Sequence, residues 1–218
     1  LLQQEFIKIL EKQDIVLKNG AEVVKQPYAT EEVDTLAVQH SPMLRELARE
    51  TNYESVNLFA EHLGRHLAVL AGKGNTADEM PNNLRRYWRK HTAKKGMQLY
   101  DACGLSRYNA ITAGQFTDIL AYMQDSSSAS EMFFQSLPVA GESGTLEYMG
   151  RGTALTGNMR GKSGTITNVK AYAGYITTAS GRKAAFAFMI NNYTGSSSKM
   201  RGKIAYLLEG IALLNEGE

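Results

Sequence analysis

Residues 159–191 read MRGKSGTITNVKAYAGYITTASGRKAAFAFMIN. Three strand-like runs lie here: Met159 to Thr165, Val169 to Thr178 and Lys183 to Asn191. Their alternation and β-branched or aromatic content suit a pleated, half-buried surface. Ala179-Ser180-Gly181-Arg182 supplies the turn residues that make the last two a hairpin. Three antiparallel strands are therefore expected. Just downstream, Ile204, Leu207, Leu208, Ile211 and Leu214 share one side of a helix spanning Ser198 to Asn215.

Upstream of this sheet the periodicity is helical. Residues 138–158 are rich in Gly, Thr and Ser and read as an irregular loop. Glu131 to Leu137 is a short helix, preceded by a Ser-rich break at Asp125 to Ser130. Thr112 to Met123 and Asn83 to Lys94 are further helices. Leu58, Phe59, His62, Leu63, His66, Leu67 and Leu70 form one broad apolar face of a long helix. Thr51 to Ser55 reads as a polar break before it. Ser41 as N-cap and Pro42 at the first helical position predict another helix to about Glu50. Short strand patterns occur at Ala21 to Tyr28 and Thr35 to Gln39. Leu2, Phe6, Ile9 and Leu10 predict a helix to about Lys12. Helices first, then three antiparallel strands, then a helix define an α+β class.

Composition narrows the function classes. The chain has 218 residues, 43% hydrophobic and 21% charged, which predicts a sizeable core and excludes disorder. A net charge of +2 gives no support to nucleic-acid binding. The single cysteine, Cys103, forms no internal disulfide and reads as a small packing residue. No apolar run approaches the roughly 18 residues needed to span a membrane. The chain opens Leu1-Leu2-Gln3-Gln4 without Met and already in helical register. That is the expectation for a fragment whose export signal, if any, lies upstream.

Three short segments stand out together, the third of them as turn structure and not as chemistry. Ser55-Val56-Asn57 precedes a long helix, Lys162-Ser163-Gly164-Thr165 lies inside a strand, and Asp101 to Arg107 forms a turn between helices. Each is weak alone, but their order and context resemble the penicillin-recognising enzymes. Those use Ser-x-x-Lys, then Ser-x-Asn, then Lys-Thr/Ser-Gly on a strand. Ala173-Gly174-Tyr175-Ile176-Thr177-Thr178-Ala179-Ser180-Gly181, Leu137-Pro138-Val139-Ala140-Gly141 and Asp101 to Arg107 with Asn109 sharpen the match. From about Leu36 onward the chain resembles the D-Ala-D-Ala carboxypeptidase/endopeptidase family of low-molecular-mass class C penicillin-binding proteins, peptidase family S13.

The resemblance implies the β-lactamase/transpeptidase-like fold, with residues 1–218 as the C-terminal portion of one such domain. It implies a periplasmic or otherwise exported serine hydrolase that cuts peptidoglycan stem peptides and is acylated by β-lactams; no cofactor and no metal are expected. Ser55 and Lys162 take proton-relay and electrostatic roles, and Asn57 grips the substrate backbone. Ser163 and Thr165 offer hydroxyls to the terminal carboxylate, Gly164 allows close approach, and the Thr165 N–H is an oxyanion donor. The family's nucleophilic Ser-x-x-Lys belongs upstream of Ser55, so this chain is expected to be inactive alone. Missing strands would leave a sheet edge unpaired, and association through it is expected. Val56 replaces the usual Asp of Ser-x-Asn, and Ala102-Cys103 replaces Gly-Ser in the turn.

Plainer readings exist for each feature. Ser55 and Asn57 could be helix caps, and Lys162 a solvated strand lysine. Ser180-Gly181-Arg182-Lys183 and Ser196-Ser197-Ser198-Lys199 match Ser-x-x-Lys but follow Lys162, the wrong order; a turn and a helix cap explain them. His62 and His66 have metal-pair spacing, but their apolar face predicts half-buried structural histidines. The basic, aromatic run Arg85 to Lys90 reads as a solvated helix face with Tyr87 and Trp88 packed partly inward. Other enzymes on this fold, a β-lactamase or esterase, and a non-catalytic peptidoglycan-binding relative are the alternatives.

Overall fold

The computed structural model describes residues 2–17, 38, 40–72, 79–93 and 96–215. The strand patterns at Ala21 to Tyr28 and Thr35 to Gln39 fall outside these residues, apart from Val38. The chain divides into two compact units, residues 1–41 and 42–218. The first contains α1 (Leu2–Lys12), the helix its spacing predicts, with Lys8 and Glu5 paired at 2.8 Å.

The second unit begins with α2 (Leu44–Glu54), α3 (Asn57–Leu70) and α4 (Glu79–His91). Next come α5 (Ala113–Asp125), α6 (Ser130–Ser136) and a 3-10 turn at Gly144–Leu146. It closes with β1 (Met159–Ile166), β2 (Val169–Thr177), β3 (Lys183–Asn191) and α7 (Ser197–Ala212). The three strands form one antiparallel sheet in the order β1-β2-β3. No described helix is long and apolar enough to cross a membrane.

Period-two alternation sorts the sheet's side chains onto two faces. Tyr172, Ile176 and Phe186 face Ile204, Leu208 and Ala212 of α7. The Gly-rich segment before β1 fills the same layer with Ala140, Leu146, Met149 and Leu155. On the opposite face Tyr175 packs with Leu120 of α5 and Leu137, flanked by Phe133 and Phe134. The Tyr175 hydroxyl donates to the Leu120 carbonyl at 2.7 Å. Burial pushes that phenol up to about 12. The sheet is thus sandwiched between helices, and the segment 138–158, irregular as expected, contributes four buried apolar side chains to the core.

Several helix boundaries differ from expectation. The helix expected from Ser41 starts at Leu44, with Met43 as N-cap. The Glu46 carboxylate accepts the Met43 N–H at 3.0 Å, half of a capping box built without a capping hydroxyl. Thr51 to Glu54 is no break: it is the last turn of α2, and only Ser55-Val56 is non-helical. The Thr51 hydroxyl donates to the Leu47 carbonyl at 2.6 Å, so its polarity is absorbed within the helix. α4 starts at Glu79, before the expected Asn83.

The broad apolar face of α3 is not its buried face. Gly64 and Ala68 are buried, while Leu58, Leu67 and Leu70 are exposed, as are His62 and His66. The small residues decide this packing. A Cβ on Gly64 would stand 2.7 Å from the Ala102 Cβ and 3.2 Å from Met80. Close approach through small residues leaves the larger side chains facing outward.

β1 and β2 approach closely at the Gly161–Gly174 pair. A Cβ on Gly174 would collide with the Arg160 carbonyl and the Gly161 Cα. The obstacle is backbone and cannot rotate away. Gly174→Ala is therefore expected to destabilise the chain by about 2 kcal/mol or more in urea denaturation, the upper part of the usual overpacking range. An unchanged midpoint would contradict this register.

Candidate active site

The site is built from the elbow between α2 and α3 and the exposed edge of β1. α2 ends because Ser55 turns left-handed, at φ 58° and ψ 46°. A non-glycine residue in that region costs roughly 1–2 kcal/mol. The surroundings hold it there. Asn52 donates to the Ser136 hydroxyl at 2.8 Å, tying the end of α2 to α6. Gly144 sits so close to Tyr53 that a Cβ would come within 2.8 Å of the Tyr53 carbonyl oxygen.

Across from the elbow, Lys162 Nζ donates to Ser55 Oγ at 2.8 Å and to the Ser163 carbonyl at 2.7 Å. The first bond joins residues 107 apart in sequence. It excludes the reading of Lys162 as a solvated strand lysine. Burial disfavours the ammonium and holds Lys162 below the ordinary lysine value of 10.5. Among the described residues no carboxylate pairs with it.

Strand alternation places the other residues. Lys162 lies opposite Ala173, whereas Ser163 and Thr165 lie opposite Tyr172 and Lys170 and so project to the α7 side. Among the described residues β1 is an edge strand of the sheet, so side chains of both its faces border the same open rim. The Gly161 N–H points away from β2 and donates to the Pro138 carbonyl at 3.1 Å. By the two-residue repeat of an antiparallel ladder, the Ser163 and Thr165 N–H groups point outward too. The neighbouring Pro138–Ala140 segment bridges β1 only at its start, Val139 opposite Arg160. Gly164, Thr165 and Asn57 are exposed, and Ser163 is half-buried. Asn57 opens α3 two residues after Ser55.

The turn at Asp101 is structural. The Asp101 carboxylate accepts from the N–H groups of Gly104 (2.8 Å) and Ser106 (2.5 Å) and from Asn109 Nδ2 (2.7 Å). Burial pushes its pKa up, but these bonds outweigh it and hold the group below its usual 3.8. Glu61, which the sequence did not single out, accepts from the N–H groups of Ala102 and Cys103 at 2.7 and 3.1 Å. Glu61, Asp101 and Cys103 cluster within 4.8 Å, yet both carboxylates are occupied by the turn's own donors. The late Ser-x-x-Lys strings behave as expected. Ser196 caps α7 through the Lys199 N–H at 3.2 Å, and Ser180 bonds Thr178 within its turn at 2.9 Å.

A buried cation was also missed: Lys170 on β2 is only 5% exposed. The signal was a lysine within an otherwise apolar alternation.

Comparison with known proteins bears on this arrangement. The model of the D-Ala-D-Ala carboxypeptidase 3 (S13) family matches residues 1–209. The chain belongs to that family. Carboxypeptidase DacB of Mycolicibacterium smegmatis is 32% identical over 161 residues, covering 71% of this chain and 35% of that protein. Penicillin binding protein 4 (dacB) from Haemophilus influenzae, complexed with a β-lactam, superposes with a TM-score of 0.70 at 24% identity. That match covers 78% of this chain and 41% of the other. A predatory endopeptidase from Bdellovibrio bacteriovorus, bound to an immunity protein, gives 0.60 at 21% identity over 80% of this chain and 45% of its own. The fold is the β-lactamase/transpeptidase-like one. The chain spans between 35% and 45% of the length of these relatives.

The depressed Lys162 pKa has a signed consequence for stability. The unfolded chain holds this proton up to 10.5, and the folded chain releases it earlier. Folding stability linked to Lys162 therefore rises with pH between the depressed value and 10.5. Relative to Lys162→Met, the wild-type chain should gain stability over that window in urea melts. A pH-independent difference would contradict the burial of this ammonium.

Proposed function

We propose that this chain is the C-terminal portion, residues 1–218, of the transpeptidase-like domain of a serine-type D-Ala-D-Ala carboxypeptidase/endopeptidase. Its substrates are peptidoglycan stem peptides, it acts outside the cytoplasm, and β-lactams acylate it. The 2.8 Å contact between Lys162 and Ser55 carries this reading, because it joins two of the family's three motifs around one open rim.

The geometry supports the following roles. A serine from an upstream Ser-x-x-Lys attacks the carbonyl of the penultimate D-Ala, and the Thr165 N–H stabilises the developing oxyanion. Ser55 passes a proton to the departing amine, and Lys162, its donor at 2.8 Å, sets the local charge. Terminal D-Ala leaves, and water then hydrolyses the acyl-enzyme. Asn57 holds the peptide backbone, Ser163 and Thr165 bind the free carboxylate, and Gly164 admits the substrate against the strand. Without the upstream serine the chain is inactive by itself.

Intact-mass measurement after incubation with a fluorescent penicillin tests this. The chain alone should show no adduct. The protein extended by the sequence preceding Leu1 should take up one equivalent and release D-Ala from a stem pentapeptide. An adduct on the chain alone, or a folded extended protein with neither adduct nor D-Ala release, would overturn the proposal.

A further inference from the structure

Lys170 is the least expected residue of the fold. It is a charged side chain only 5% exposed, on the α7 face of β2. Its Nζ donates to Thr165 Oγ1 at 3.1 Å, directly across the ladder. The Tyr172 ring lies 5.8 Å away. Among the described residues no carboxylate is paired with it. Arg201 of α7 adds charge of the same sign, which together with the larger effect of burial depresses the lysine's pKa. A buried cation without an anion is costly, and one threonine oxygen is a poor substitute for a counter-ion. The arrangement is short of one negative charge.

Hydrogen-bond chemistry says where that charge would sit. An ammonium has only donors, so in this bond the Thr165 oxygen must be the acceptor. The hydroxyl hydrogen is thereby left free for another acceptor, and donation from a cation polarises the O–H. Thr165 is exposed on the edge strand, beside the outward-facing N–H groups of β1. An anion docking at this rim meets a hydroxyl committed to donating, with a cation behind it.

We propose that Lys170 is a positioning residue for the ligand's free carboxylate, acting through the Thr165 hydroxyl. This rests on the reading of β1 as the carboxylate-binding strand of a D-Ala-D-Ala peptidase. It adds that the strand's selectivity for an anionic terminus depends on a lysine one strand away that never touches the ligand.

The test compares acylation by benzylpenicillin, which carries the carboxylate, with acylation by its methyl ester. The protein is the upstream-extended form, and rates are read by intact mass. Wild type should prefer the acid. Lys170→Met should reduce that preference about tenfold, the effect of losing one charge-assisted contact, by slowing the acid reaction and sparing the ester. Lys170→Arg should restore part of it. Thr165→Val, which removes the hydroxyl that Lys170 holds, should reproduce the loss, and the double variant should lose no more. This second route stands if Lys170→Met does not fold. Equal slowing of acid and ester, or an unchanged preference, in a folded Lys170→Met would overturn the inference alone. A full preference retained by Thr165→Val would overturn it likewise. A wild type acylated by neither compound would sink the underlying functional reading, and this inference with it.

Discussion

The hydrogen bond from Lys162 to Ser55 is the contact on which the rest of the site depends. It bridges the helical half of the chain and the sheet, 107 residues apart in sequence, at 2.8 Å. Both partners are held at a cost. Ser55 occupies a left-handed conformation that favours glycine, and Lys162 is drawn out of water. The same constraint explains the packing around them. α2 is tied to α6 through Asn52 and Ser136, and β1 is drawn against β2 at a pair of glycines. Loosening either support would separate the two motifs without touching them.

The late sheet was legible because its signals are local. Three runs with period-two alternation, a turn at Ala179 to Arg182 and a final amphipathic helix leave little choice of arrangement. α5 was legible for the same reason, since Thr112 and Gln115 form a capping box at its start. The helical half was less legible where tertiary packing outweighs local pattern. α3 turns its small residues inward because Gly64 must pass close to Ala102 and Met80. Its exposed leucines could not be told from core leucines by spacing. The polar residues Thr51 to Glu54 imitate a break, yet they complete α2 because the true interruption is one left-handed serine.

For the site, the motif residues were readable and their relations were not. Spacing cannot say that Lys162 meets Ser55 while Ser163 and Thr165 face α7. That follows from the register of β1 on β2 and from β1 being an edge strand. Lys170 was overlooked for a related reason: a lysine near the start of a strand suggests solvent, although its register with Tyr172 and Ile176 puts it on the buried face. The chemistry proposed for the rim draws on family membership and fold.

The most direct test is a double-mutant cycle on this chain, with Ser55→Ala, Lys162→Met and both together, followed by urea denaturation. If the contact joins the two halves as described, the pair should show a favourable coupling of about 1 kcal/mol or more, as for hydrogen bonds to charged groups. Additivity within about 0.3 kcal/mol would mean the two motifs do not meet, and the account of the site would fall.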